Sequence, residues 1–178
     1  MSAAFARLAR RGGFEPARLA FTLRTALGAG LALLLAGALG LGHPPWAAMT
    51  VWIAAQPVRG HLLEKSLFRL LGTVLGVAYG VALVALGGGA PAVVVPGLAL
   101  WVALCTGAGQ LLRGFAGYGT LLAGYSAAMV ALLEADRPGH IAALGLDRLL
   151  TILVGVGVAL AVSARFAAAG GPGAAEAR

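Results

Sequence analysis

The sequence predicts an all-α polytopic membrane protein with six transmembrane helices. Of its 178 residues, 60% are apolar and 11% are charged, whereas soluble domains are about 25% charged. The apolar residues form six stretches, and most of these approach the roughly 20 residues with which a helix crosses about 30 Å of hydrocarbon. Little polar sequence remains between the stretches to build a soluble domain.

The six stretches follow one another with short connections. Pro44 and Pro45 suit the start of the second, where a missing backbone N–H costs nothing. This second stretch is short, and we interpret it as crossing because a re-entrant segment would move Arg59, Lys65 and Arg69 to the outside. The predicted spans are Leu19–Leu41, Pro44–Val58, Leu67–Leu86, Pro91–Leu112, Phe115–Leu133 and Leu149–Phe166.

The basic residues indicate the orientation. With the N-terminus in the cytoplasm and six crossings, eleven lysines and arginines lie inside, and only Arg137 and Arg148 lie outside. Both termini are therefore predicted to be cytoplasmic: a basic segment at 1–18 and a flexible tail at 167–178 flank a membrane domain at 19–166. The net charge of +7 is explained by contact with anionic membrane lipids, without nucleic acid.

Several protein classes are excluded. The basic stretch reaches Arg24, which is too long for the start of a signal peptide. Cys105 is the only cysteine, so neither an intramolecular disulfide nor a cysteine metal cluster can form. No hydrolase elbow, phosphate loop or metal-binding helix motif occurs. Glu64 and Asp147 lie beside arginines, and ion pairing explains them. We expect no enzyme activity, no metal and no cofactor.

One segment of the chain occurs twice. Residues 60–82 and 139–161 align without a gap and share nine of 23 residues, where roughly three are expected by chance in so biased a composition. One copy starts inside and the other outside, so we predict an inverted 3+3 repeat, roughly 19–86 and 91–166, as is typical of transporters. The identities are Gly60/Gly139, His61/His140, Leu67/Leu146, Arg69/Arg148, Leu70/Leu149, Leu71/Leu150, Gly76/Gly155, Val77/Val156 and Ala82/Ala161.

Each copy carries an arginine on a helix face of small residues. Such faces let helices pack closely in lipid, so Arg69 and Arg148 should face another helix. Two interpretations remain open. The arginines snorkel to headgroups, or they flank a polar path that attracts anions, with Arg69 at its inner mouth and Arg148 at its outer mouth. The small residues that we predict to pack are Gly72, Gly76, Gly80, Gly155 and Ala159.

Polar and aromatic residues elsewhere extend the predicted path. We assign to the substrate path Arg69 and Arg148, together with Trp52, Gln56 and Thr73. Tryptophans such as Trp46 and Trp52 are more often an interfacial belt and a lipid or core contact than a platform for a ligand. The polar pair Thr50 and Gln56 in so short a helix points to a site.

Histidines and tyrosines also have two interpretations. His61 and His140 are candidates for proton-linked groups, although each follows a glycine in a loop, where a solvated histidine is the alternative. Tyr118 and Tyr125 are seven residues apart and share a helix face, which suits either core packing or stacking against a ligand.

The stretch HPPWAAMTVWIAAQPVRGHLLEKSLFRLLGTVLGVAYG resembles the fusaric acid resistance and aromatic acid exporter family of bacterial inner-membrane proteins. The resemblance rests on a tryptophan near the start of the short second span, a Gln-Pro near its end, and an arginine followed by Gly-Thr and a further glycine. These are Trp46, Gln56-Pro57, Arg69, Gly72-Thr73 and Gly76, with Arg148 and Gly155 in the last span.

The resemblance implies efflux of small organic anions, often aromatic carboxylates, from a bacterial cell. Typical family members are longer and contain two membrane bundles, so a homodimer of this single bundle is the expected assembly. Two other functions remain open: an anion channel built from the same bundle, and a non-transporting membrane scaffold that the arginines only anchor. A channel passes many ions per opening, so current recordings separate it from a carrier.

Overall fold

The computed structural model describes residues 16–56, 59–133 and 138–168, and in these ranges every regular element is a helix. Residues 1–15 of the predicted basic segment and 169–178 of the predicted tail lie outside the described residues. The elements are α1 (Pro16–Ala38), α2 (Pro44–Ala54), α3 (Arg59–Gly87), α4 (Pro91–Leu111), α5 (Phe115–Leu133), a 3-10 turn (Pro138–His140) and α6 (Ile141–Ala168).

Five of these helices are long and apolar enough to cross a membrane. The exception is α2, whose 11 residues rise about 16 Å, half of the hydrocarbon thickness of about 30 Å. It ends at Ala54. Two residues later, Gln56 precedes Pro57, which disfavours helical backbone at the residue before it. The five spans are Leu19–Ala38, Gly60–Gly87, Pro91–Leu111, Phe115–Leu133 and Ile141–Arg165.

Two helices begin earlier than the apolar stretches that predict them. α3 starts eight residues before Leu67, and α6 starts eight residues before Leu149. A helix pairs its own backbone groups and therefore continues beyond the apolar residues into the polar boundary. As a result, Arg69 lies about 15 Å and Arg148 about 10 Å from the start of its helix.

The helices pack in two groups of three. One group contains α1, α2 and α6, and the other contains α3, α4 and α5; the long helices α3 and α6 join the groups. Each group has its own apolar core. The cores are Ala32, Ala36, Ala47, Val51, Val158 and Ala159 in the first group, and Val77, Val84, Val94, Leu98, Ala127, Val130, Ala131 and Ile141 in the second.

α3 and α5 run parallel with their backbones in close contact. Glycines of α3 lie against backbone carbonyls of α5 at a constant offset of 47 residues, and a Cβ atom at any of them would collide with that backbone. Close backbone approach of this kind is how helices associate in lipid, where water does not drive them together. The pairs are Gly72–Gly119, Gly76–Ala123 and Gly80–Ala127.

α2 runs parallel to α6 in the same way. The backbone N–H of Gly42 donates to Asp147 at 2.7 Å, and a Cβ at Gly155 would lie 2.6 Å from Thr50. The two residues of each pair are 105 positions apart, as expected for parallel helices. With its flanks, α2 therefore follows α6 over about 24 Å. At the far end, a small cavity is lined by Ala55, Gln56, Val162 and Ser163 among others.

Candidate functional site

Two arginines from different halves of the chain meet at one cavity. Arg69 of α3 is 2% exposed and Arg148 of α6 is 3% exposed, yet both line a cavity of about 160 Å³ between α2, α3, α5 and α6. Charged side chains inside a membrane bundle are costly and mark functional pathways. The other lining residues are Met49, Ile53, Tyr118, Leu122 and Tyr125.

Arg69 is held by hydroxyl groups. Its Nη1 donates to the Tyr118 hydroxyl at 2.7 Å, and its Nη2 donates to Thr50 Oγ1 at 3.3 Å. Thr50 in turn donates to the carbonyl of Trp46 at 2.8 Å. The guanidinium is thus tied to both α2 and α5, with its orientation fixed by its fork of N–H donors.

Arg148 is held by aromatic faces. Its Cζ lies 4.8 Å from the ring centre of Trp46 and 5.7 Å from that of Tyr125, both within the range of a cation–π interaction. His43 stacks on Trp46 at 4.1 Å with an interplanar angle of 8°. Trp46 is therefore a buried contact of Arg148, and its place in an interfacial belt stays a prediction.

Among the described residues, no carboxylate lies within 4.0 Å of either arginine. Asp147 instead pairs with His43 Nδ1 at 2.8 Å, so the prediction that Asp147 pairs with its arginine neighbour is wrong. The Nε atoms of Arg69 and Arg148 are buried and have no hydrogen-bond partner in this part of the chain. The cavity therefore carries two positive charges with donors available for an anion.

The shared cavity corrects the prediction of two separate mouths. The apolar stretches predict Arg69 at the inner end and Arg148 at the outer end, because they begin beside these residues, at Leu67 and Leu149. Since α3 and α6 start earlier, and pack antiparallel with Gly145 beside Val77 and Val81, both arginines reach the same cavity.

The other residues assigned to the path lie apart from this cavity. Trp52 is 74% exposed and lines a depression between α1 and α2. Gln56 lines a separate small cavity with Arg24 and Ser163. Thr73 is buried, and its Oγ1 donates to the carbonyl of Arg69, four residues earlier in the same helix, at 2.8 Å.

The two histidines proposed as proton-linked groups also lie elsewhere. His61 is exposed near the start of α3 and contacts Phe115 edge-to-face at 5.9 Å. His140 is exposed in the 3-10 turn. Their role in proton coupling stays a prediction, with no contact to the arginine cavity among the described residues.

Two buried serines escaped the sequence reasoning. The Oγ atoms of Ser66 and Ser126 are buried without a hydrogen-bond partner among the described residues. Ser126 lies four residues after Leu122 on α5 and therefore on the same helix face, which lines the cavity. The sequence repeat pairs Gly76 with Gly155. Gly76 packs against Ser126 as Gly155 packs against Thr50, so Ser126 is the counterpart of Thr50.

The cavity has the chemistry of a small aromatic anion site. A guanidinium binds a carboxylate through two parallel hydrogen bonds, and an apolar cavity of about 150 Å³ accommodates one benzene ring. The rings of Tyr118 and Tyr125 and the side chain of Leu122 supply apolar and aromatic lining. The described residues hold no cluster of three or more histidine, cysteine or acidic side chains able to bind a metal ion.

Comparisons with known proteins point to one family. A model described as the fusaric acid resistance protein family matches residues 18–174. An uncharacterised transporter of Gluconobacter oxydans is 34% identical over 158 residues, covering 85% of this chain and 21% of the relative. The p-hydroxybenzoic acid efflux pump subunit of Edwardsiella ictaluri is 30% identical over 154 residues, covering 82% of this chain and 24% of that protein.

A more distant relative extends the same group. The p-hydroxybenzoic acid efflux pump subunit of Yersinia pestis is 26% identical over 148 residues, which is 78% of this chain and 23% of the relative. The chain thus spans between a fifth and a quarter of the length of the curated relatives that it matches. No solved structure matches.

Proposed function

The chain belongs to the fusaric acid resistance protein family, and from that membership we propose that it exports small organic anions, aromatic carboxylates among them, across a bacterial inner membrane. The observation that carries the proposal is the meeting of two buried arginines, Arg69 and Arg148, at one cavity. Two positive charges without a described acidic partner favour a negatively charged ligand over a neutral or cationic one.

The proposed substrate position follows from the different surroundings of the two arginines. The carboxylate binds between the guanidinium groups, and the aromatic ring packs against Tyr125 and Leu122 on α5. Because the cell interior is electrically negative, each unit of negative charge exported gains about 2.3 kcal/mol per 100 mV. Outward transport of an anion therefore needs no carboxylate-rich coupling machinery.

The proposed architecture is an inverted 3+3 repeat with six crossings and both termini in the cytoplasm. The helix packing supports it. When α1, α2 and α3 are exchanged with α4, α5 and α6, three packed pairs of helices map onto three other packed pairs. The length over which α2 and its flanks follow α6 supports a sixth crossing. The matched pairs are α1–α2 with α4–α5, α2–α6 with α3–α5, and α1–α6 with α3–α4.

The topology is tested with single cysteines in a Cys105→Ala background. Cysteines at Ala90 and Gly139 should react with an impermeant thiol reagent from outside the cell, whereas one at Gly60 should not. All three positions are exposed in the structure. Outside labelling at Gly60 would remove both the sixth crossing and the inverted repeat. The homodimer stays a prediction. One chain supplies both arginines of the cavity, so the proposed site does not itself require a second copy.

The function is tested by efflux of p-hydroxybenzoate from loaded proteoliposomes. We expect Arg69→Ala and Arg148→Ala to lower the efflux rate at least tenfold, and Arg69→Lys to lower it less, because lysine keeps the charge and loses the bidentate geometry. Arg113→Ala is the matched control, since Arg113 lies exposed between α4 and α5 and should leave the rate unchanged.

The outcomes separate the remaining alternatives. Wild-type efflux by both alanine variants would mean that the arginines only anchor the bundle and that the site assignment is wrong. Efflux carried by single-channel currents in a planar bilayer would replace the carrier by an anion channel of the same architecture. No efflux by the wild type of any aromatic carboxylate would overturn the proposed substrate class.

A further inference from the structure

The two halves of the bundle provide matching hydroxyl groups to the two arginines. An offset of 79 residues relates Gly76 on α3 to Gly155 on α6. Gly76 lies against the Ala123 carbonyl and Ser126, and Gly155 lies against the Ala47 carbonyl and Thr50. Ala47 and Ala123 are 76 residues apart, and so are Thr50 and Ser126. Ser126 therefore occupies in one half the place that Thr50 occupies in the other.

Only one of the two equivalent hydrogen bonds is formed. Arg69 donates to Thr50, and the counterpart of this pair is Arg148 with Ser126. In the structure, the Ser126 hydroxyl and the Arg148 Nε are both buried without a partner among the described residues. Buried polar groups are nearly always hydrogen-bonded, and an unpaired one calls for an explanation.

A side-chain movement of Arg148 would join the two unpaired groups. Arg148 lies over the ring of Tyr125, and Ser126 is the next residue on α5. Ser126 also shares its helix face with Leu122, which lines the cavity with both arginines. A shift of Arg148 along α5, away from the aromatic rings, therefore brings its guanidinium toward the Ser126 hydroxyl.

We propose that Ser126 is the second positioning hydroxyl of the site and that transport alternates between two states. In the state described above, Arg69 is bonded to Thr50 and Arg148 lies on Trp46 and Tyr125. In the opposite-facing state, Arg148 is bonded to Ser126 and Arg69 is released from Thr50. This inference rests on the inverted repeat proposed above, in which exchange of the two halves converts one state into the other.

The test measures the balance of the two states without any transported substrate. Leu122→Cys in a Cys105→Ala background gives a buried thiol on the cavity. An impermeant thiol reagent is added to one side or the other of oriented proteoliposomes, and the ratio of the two labelling rates reports which side the cavity faces.

We expect Thr50→Ala and Ser126→Ala to change this ratio in opposite directions, each at least threefold, because each removes a bond from a different state. The double variant should return to within about twofold of the starting ratio, since both states then lack one bond. Ser66→Ala is the matched control: Ser66 is a second buried serine with an unpaired hydroxyl, and its loss should leave the ratio unchanged.

Two results would overturn the inference: a shift in the same direction for both single variants, or an unchanged ratio in Ser126→Ala. The Ser126→Ala arm stands alone if Thr50→Ala fails to fold, because removing an unpaired hydroxyl leaves the described state intact. An unchanged ratio together with normal efflux would reject the alternation while the proposed function stands. The expected shifts in labelling ratio, together with no efflux by the wild-type protein, would support the alternation and overturn the proposed substrate class.

Discussion

The two arginines occupy equivalent positions in the repeat, yet the surroundings of Arg69 and Arg148 differ in kind. Arg69 donates to two hydroxyl groups, on Tyr118 and Thr50. Arg148 lies over two aromatic rings, of Trp46 and Tyr125. Hydrogen bonds fix a guanidinium in direction, whereas an aromatic face tolerates sliding because the attraction to the ring quadrupole is broad.

The difference arises from the helices that face the arginines. Under the offset of 76 residues, Tyr118 corresponds to Gly42 and Tyr125 to Met49. α5 therefore contributes an aromatic side chain to each arginine, and α2 contributes a hydroxyl to one arginine and an indole ring to the other. Under the proposed repeat, two equivalent arginines therefore have unequal surroundings at a single cavity.

The largest expected effect tests whether the two halves share one packing rule. Gly155→Leu and Gly76→Leu should each nearly abolish the yield of monodisperse protein in detergent, because the added side chain meets Thr50 in one half and the α5 backbone in the other. Gly157→Leu is the control on the same helix, since nothing lies within 4 Å of its Cβ position. Equal yields of Gly155→Leu and Gly157→Leu would contradict the close approach of α2 and α6.

An intermediate effect separates the hydroxyl-bound arginine from the ring-bound one. Tyr118→Phe removes the acceptor of a hydrogen bond from a charged group, which contributes about 1.5–3 kcal/mol, so efflux should fall roughly tenfold. Tyr125→Phe keeps the ring face under Arg148 and removes only the interaction of the Tyr125 hydroxyl with that guanidinium, so efflux should fall less than in Tyr118→Phe. A larger loss in Tyr125→Phe than in Tyr118→Phe would reverse the assignment of the two surroundings.

The smallest effect is expected at Asp147, the residue before Arg148. Asp147→Asn removes a partly exposed ion pair with His43, and such pairs contribute about 0–1 kcal/mol. The asparagine oxygen still accepts from Gly42, so the unfolding temperature in detergent should change by only a few degrees. A fall in unfolding temperature of more than about ten degrees would mean that this pair holds the α1–α2 turn in place.

Much of the fold could be predicted from the sequence because lipid imposes simple rules. Apolar stretches gave the number and order of the helices, and α5 begins and ends at the predicted residues, Phe115 and Leu133. The starts of α3 and α6 were misplaced, since apolarity marks where hydrocarbon lies and a helix continues into polar surroundings. The same error placed Arg69 and Arg148 at separate mouths.

Of the residues at the site, the sequence repeat predicted only the two arginines. The repeat singled out both arginines, but the contacts of Trp46, His43 and Ser126 depend on which helices become neighbours. α2 pairs with α6 and α3 with α5, and no local pattern gives these pairings. Trp52 and Gln56 share α2 or its flank with Thr50 but lie away from the arginine cavity.

The position of Trp46 makes the site optically observable. Of the three tryptophans in the chain, only Trp46 contacts both an arginine of the cavity and a stacked histidine. Indole fluorescence responds to a neighbouring cation and to stacking with another ring, so departure of Arg148 from Trp46 alters its emission. With Trp52 and Trp101 replaced by phenylalanine, the protein carries its own fluorescent reporter of anion binding.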